Sequence, residues 1–336
     1  METPSLAGAS QPECPWTAME MQYLTWLGAI LIVIGILGSA ANGMLSAGCL
    51  LGIGIPENRG DQGHRLLLLN LSIASLGTLL LAGFPFTGPS LIQGRWIFGN
   101  SCCQLFAFLR QMFGFAQLAA LMLLVMERYW LFYVITKENS RMMTIRGCAW
   151  GIASFWALSM LIAIPPLVRW GRYACDSTRT ICELDWLMTN GSQISFNLFY
   201  LAIGVMLPTF VIFFCLWRTH TMIKALSIGT NDFGMDALGQ YFITKVVMYI
   251  VMGMYLAWLP QAITVFSTML LGNKGEKNLP VVLKMMSPIF SEVSTIVPII
   301  VYAALGRHVR QTMLGILRKR NPPKSKHGMI RLHMKS

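Results

Sequence analysis

Long apolar runs alternate with short polar segments along the chain, and most of the runs carry no charge at all. Residues 21–56, 66–94, 147–168, 186–217 and 246–273 contain no Asp, Glu, Lys or Arg; 96–126 is broken only by Arg110 and 285–306 only by Glu292. A helix needs about 20 apolar residues to cross a hydrocarbon core of about 30 Å. The pattern therefore predicts an all-α membrane protein, a bundle of seven transmembrane helices over 23–304. A segment outside the membrane (1–22) precedes it and a cytoplasmic one (305–336) follows it. The first run is too long for a signal-peptide core and has no basic segment before it, so it is expected to be retained as a span. After the seventh run, Val309, Met313, Ile316 and Leu317 fall on one helical face with basic residues on the others. This suits a short amphipathic helix on the inner membrane surface; a solvated tail helix is the plainer reading.

Composition agrees: 55% of residues are hydrophobic and 12% charged, which excludes an ordinary soluble domain. The net charge of +12 raises the question of nucleic acid, but its distribution answers it. With the N-terminus outside, eighteen of the 26 Lys and Arg fall in cytoplasmic segments, seven fall outside, and Arg110 lies within the membrane. That asymmetry is a topology signal, predicting a multi-pass protein of the cell membrane with an extracellular N-terminus and no nucleic-acid partner. The basic tail RKRNPPKSK is expected to meet anionic membrane lipid. Eight Cys in 336 residues are too few for a disulfide scaffold. No Cys/His spacing reads as a metal site, and no Ser/His/Asp or Cys/His set falls within the spans, so neither metal nor catalytic residues are expected. Asn190-Gly191-Ser192 lies on the outer side as a glycosylation acceptor, whereas Asn70-Leu71-Ser72 lies at the membrane-embedded start of the second span.

Local motifs narrow the reading. Arg95-Trp96-Ile97-Phe98-Gly99 leads to Cys103, and Glu127-Arg128-Tyr129 closes the third span 24 residues after that Cys. The second outer loop reads WGRY and then CELDW. Asn42, Trp156, Pro165-Pro166, Pro208 with IFFC, and Ala257-Trp258-Leu259-Pro260 mark the other spans. Over about residues 24–318 the chain resembles the opsins, within the rhodopsin-like G-protein-coupled receptors. The resemblance implies a receptor rather than an enzyme, with a heterotrimeric G protein as partner. It implies a Cys103–Cys182 disulfide, with Cys102 an adjacent competitor and Cys14 and Cys175 free or in a second bridge, and an Arg172–Asp185 pair in the loop. It gives Glu127, Arg128 and Tyr129 a role in coupling, Glu127 holding Arg128 at rest, against the plainer reading of a membrane-edge anchor. Trp258, two residues before an intramembrane proline, takes the place of the family's transmission point beneath the ligand, or is simply a bulky core aromatic.

The opsin chromophore site is altered. Opsins hold retinal as a Schiff base on a lysine of the seventh span. Here that position is Glu292 when the alignment closes on Tyr302, or Ser291 when it closes on Pro298, and neither forms an imine. Lys284 lies eight residues nearer the outside, about 12 Å along the helix and roughly 80° round it. Phe106 stands at the usual counterion position. Asp176, six residues before Cys182, matches an alternative counterion position or is a solvated loop acid. A charged residue at the bilayer centre costs about 2.5–3.5 kcal/mol on insertion scales, so Arg110 and Glu292 are expected to face the interior. They are expected to form a salt bridge, either a lock that a ligand anion opens at Arg110 or a permanent bridge that fixes helix packing. Ser75, Leu216, Met254, Gln261 and Val297-Pro298 also depart from the family's activation positions. The sequence thus predicts an opsin-type receptor without covalent retinal that either senses a diffusible ligand, an anion among the candidates, in a pocket of Phe106, Arg110, Trp258, Gln261, Glu292 and Asp176, or acts through basal activity. A photoreceptor holding retinal non-covalently and a retinoid-handling membrane protein without G-protein signalling are the alternatives.

Overall fold

The computed structural model describes residues 18–51, 61–137, 143–176, 178–187, 189–229, 235–278 and 280–305. Six helical segments are long and apolar enough to cross a membrane: Met19–Leu51, Gln62–Ile92, Gly99–Thr136, Ile145–Val168, Gly191–Leu226 and Gly239–Gly272. The shorter apolar helix Ile289–Leu305 supplies the seventh span. Spans one, three and four are α1 (Ala18–Leu51), α4 (Gly99–Lys137) and α5 (Ile145–Ala163). Span two divides into α2 (Asp61–Leu81) and α3 (Phe84–Ile92); span five into α6 (Gly191–Phe199), a π-helical turn over Tyr200–Met206, and α7 (Leu207–Gly229). Span six is α8 (Met235–Asn278), and span seven divides into α9 (Val281–Ser294) and α10 (Val297–Leu305). The tail expected to form an amphipathic helix lies outside the described residues.

Lipid provides no hydrophobic drive between helices, so packing decides which side chains turn inward. Spans two and three are the most enclosed, and Leu121, Leu124 and Val125 of α4 are buried against Leu67, Leu68, Val247 and Ile250. Leu37, Trp150, Phe210 and Leu256 face outward, as a lipid-exposed surface requires. Cys49, Cys148 and Cys215 are buried free thiols, the small apolar role expected of them.

Each break in a span has a local cause. Pro85 in the first turn of α3 needs no N–H, and the N–H groups of Phe86 and Thr87 turn back onto the Gly83 carbonyl at 3.0 and 3.1 Å. In span seven Thr295 donates its hydroxyl to the Glu292 carbonyl (2.6 Å), and Asn42 of α1 donates its side-chain amide to the Thr295 carbonyl (3.2 Å). Carbonyls freed at a break must find partners in a membrane, and Asn42 is one of them.

Outside the membrane, β1 (Tyr173–Cys175) and β2 (Cys182–Leu184) form an antiparallel hairpin, Cys175 opposite Cys182 and Tyr173 opposite Leu184. The Cys103–Cys182 disulfide pins this hairpin to the top of α4. Tyr173 donates its hydroxyl to the Ala163 carbonyl at 2.7 Å, fixing the other side to the end of span four.

Candidate functional site

Glu292 is fully buried on α9 and is held by the break in span two. Its Oε1 accepts the Thr87 hydroxyl at 3.1 Å. A Cβ at Gly83 would stand 3.1 Å from that same oxygen and 2.7 Å from the Thr78 carbonyl, so only glycine lets the two spans close around the carboxylate. Arg110, on α4, turns instead into a cavity beneath the outer hairpin. Both residues are described, and they form no ion pair: Arg110 Nη1 and Glu292 Oε2 are each buried without a hydrogen-bond partner. The expected salt bridge is therefore open in this structure. The acid is met by Thr87 at the break in span two, and the base faces the cavity.

The cavity has a volume of about 230 Å³. Arg110 and Gln111 of α4 line one part of it, Trp258 and Gln261 of α8 another, and Ser291 of α9 and Tyr200 of the π-helical turn a third. The hairpin forms its outer wall through Glu183 and Leu184, with Trp186 just beyond. Gln261 donates its amide to Glu183 Oε2 at 3.1 Å. Trp258 donates its indole N–H to Ser294 Oγ at 3.0 Å and meets Tyr255 edge-on. Gln111 Nε2, like Arg110 Nη1, is buried and unpartnered.

Of the residues read from the sequence, the cavity brings together Arg110, Trp258, Gln261 and Ser291, with Glu292 behind Ser291. Phe106 does not line it. It packs against Trp96 and Phe86, ring centroids 5.1 and 5.6 Å away, in the aromatic layer beneath the disulfide. Asp176 does not line it either, but closes the hairpin. Its Oδ1 accepts the backbone N–H groups of Thr180 and Ile181, both at 3.2 Å, and its Oδ2 accepts the Thr178 hydroxyl. Desolvation there raises its carboxyl above the usual carboxylate range, against the pull of those bonds. Arg172 and Asp185 pair as expected, Asp185 also accepting from the Leu187 N–H and the Gln193 amide. Cys175, a free thiol, lies with its sulfur 3.3 Å from that of Cys182. Asn190 is exposed, and its Oδ1 caps α6 by accepting the Gln193 N–H at 2.9 Å.

At the cytoplasmic end, Glu127 and Arg128 are paired and buried. Arg128 Nη1 also donates to Gln240 Oε1 of α8 at 2.7 Å. Sequence reasoning missed His64: its Nδ1 lies 3.2 Å from Glu127 Oε2 and its Nε2 2.9 Å from the Tyr302 hydroxyl. Tyr129 lies beside this network and packs near Tyr133. Also missed were Gly83, Thr87 and Gln111. The Gly83-Phe84-Pro85 breaker inside an apolar run, and a glutamine beside an intramembrane arginine, were the signals available for them.

Comparison with known proteins places this architecture. The family model described as 7 transmembrane receptor (rhodopsin family) matches residues 57–302. The mouse (Mus musculus) protein named visual pigment-like receptor peropsin is 26% identical over 294 residues, covering 87% of this chain and 84% of that protein. Rhodopsin of Galeus melastomus is 27% identical over 255 residues, 75% of this chain and 70% of that one. The crystal structure of squid rhodopsin superimposes with a TM-score of 0.75 at 20% identity, covering 93% of this chain and 91% of the other, which supports the fold. The chain belongs to the rhodopsin family of seven-transmembrane receptors and is an opsin-like member of it, a multi-pass membrane receptor rather than an enzyme.

Proposed function

We propose that this opsin-type receptor takes a diffusible ligand non-covalently in the cavity beneath the outer hairpin and signals to a heterotrimeric G protein. The N-terminus lies outside the cell membrane, as the positive charge of the inner segments supports. The observation that carries the reading is the chemistry of the cavity wall. Among the described residues lining it there is no lysine. Ser291 faces the cavity and Glu292 turns to Thr87, so the site supplies no amine for an imine with retinal.

A path of contacts runs from the cavity to the coupling end. Trp258 lines the cavity and holds Ser294, which directly precedes the break at Thr295 and Ile296. Beyond the break α10 carries Tyr302, which meets His64, and His64 meets Glu127. A ligand that displaces Trp258 moves the break, and the break moves the tyrosine that steadies the Glu127–Arg128 pair. Differential contact with the two arrangements, not binding as such, shifts the equilibrium.

The test is an absorbance spectrum of the purified chain after incubation with 11-cis and all-trans retinal, with borohydride trapping alongside. No visible imine band and no trapped adduct are expected. A band with an adduct would overturn the reading, and peptide mapping of the adduct would identify the lysine, Lys284 first.

A further inference from the structure

We infer that the cavity is a carboxylate site whose ligand is a small, apolar monocarboxylate; the inference rests on the non-covalent receptor reading and names its ligand class. Arg110 Nη1 and Gln111 Nε2 are buried donors without acceptors, on successive residues of one helix, and both residues line the cavity. An unsatisfied buried donor costs about 1–3 kcal/mol, more when charged. Ligand oxygens that meet these donors remove that penalty, and native structures seldom leave such buried groups without a use.

The charge balance selects an anion. The guanidinium of Arg110 faces the cavity, while Glu292 Oε1 accepts from Thr87 behind the wall and Glu183 Oε2, on the outer wall, accepts from Gln261. A carboxylate on a guanidinium forms charge-assisted, often two-pronged bonds, about twice as strong as neutral ones. The same balance excludes a dianion. Among the described residues lining it the cavity presents one cation, and Glu183 on its outer wall opposes a second negative charge. The remaining wall is apolar and aromatic, with Leu201, Val205, Trp258 and Phe266 suited to a hydrocarbon or aryl body. At about 230 Å³ the cavity falls below the ~300–1,000 Å³ of drug-sized pockets, so the body is small.

The experiment titrates the purified full-length chain with phenylacetate, benzoate and hexanoate, each beside its neutral amide. Tryptophan fluorescence and thermal unfolding report binding, because Trp258 and Trp186 line the cavity. At least one acid should bind saturably, about tenfold or more tighter than its amide. Arg110→Gln should bring acid and amide to parity while amide binding persists. Arg110→Lys should keep part of the preference, and Gln111→Leu should weaken acid binding about threefold to tenfold. Parity in the unaltered protein, binding by none of the acids, or a preference that survives in both Arg110→Gln and Gln111→Leu overturns the assignment. Retinal trapping separates the two claims. An adduct beside a preserved acid preference sinks the non-covalent reading and supports the anion site; parity without an adduct sinks the anion site alone.

Discussion

Two buried charge clusters involve the same helix, one at its inner end and one in its outer half, and they are built on opposite principles. At the inner end of α4, Arg128 is bound by Glu127 and by Gln240, and Glu127 is also met by His64. In its outer half, Arg110 forms no ion pair with Glu292 of α9, and each keeps a buried polar atom with no partner. A charge taken out of water is tolerable when hydrogen bonds surround it and costly when they do not. The inner cluster is therefore satisfied as it stands, and the outer one is what the proposed ligand would complete.

The sharpest way to break the inner cluster is Glu127→Ala. It leaves Arg128, 1% exposed, without its carboxylate, and breaking a buried pair from one side costs about 3–5 kcal/mol. The loss falls on the resting conformation, because an arginine released toward the cytoplasm regains water. Basal nucleotide exchange on a co-reconstituted G protein should rise and resting-state thermal stability should fall. A well-expressed variant unchanged in both would show that the pair is a membrane anchor.

The outer cluster should answer in the opposite direction. Arg110→Met replaces a poorly satisfied charge with an apolar side chain of similar length, an exchange that is often neutral or stabilising by about 1–4 kcal/mol. Ligand-free thermal unfolding should therefore shift upward, the reverse of Glu127→Ala. A large loss of stability would mean that Arg110 has a structural partner and that the contrast between the clusters is false. Between the two lies His64→Phe. It removes two hydrogen bonds, to Glu127 and to Tyr302, each worth about 0.5–1.5 kcal/mol, and should raise basal exchange less than Glu127→Ala does.

How far the sequence reaches differs between these regions for physical reasons. Seven spans were legible because the membrane excludes charge, and the same rule singled out Arg110 and Glu292 against an apolar background. The disulfide and the Glu127–Arg128 pair came from the resemblance to the opsins, in which the places of those residues are marked. Side-chain direction was not legible. Glu292 meets Thr87 beside the break at Gly83, a contact between distant spans that no periodicity records. Phe106 and Asp176 stand at counterion positions by alignment, yet one fills an aromatic layer and the other closes a hairpin. His64 was passed over because a histidine at a helix end ordinarily meets water; its burial depends on Tyr302, 238 residues away.

The smallest effect discriminates best between an open pair and a closed one. In Glu292→Gln the amide oxygen can still accept from Thr87, so the link between spans two and seven survives. The change removes one negative charge and little else, and thermal stability should move far less than in Glu127→Ala. If the pair is open at rest, no restraint is lost and basal exchange should stay at the level of the unaltered receptor. Removing that negative charge should then tighten phenylacetate binding. A closed bridge demands the reverse: removing the carboxylate would strand the guanidinium, and basal exchange would climb toward that of Glu127→Ala. Measuring basal exchange and acid affinity on one preparation thus tells an arginine kept for a ligand from an arginine kept for its neighbour.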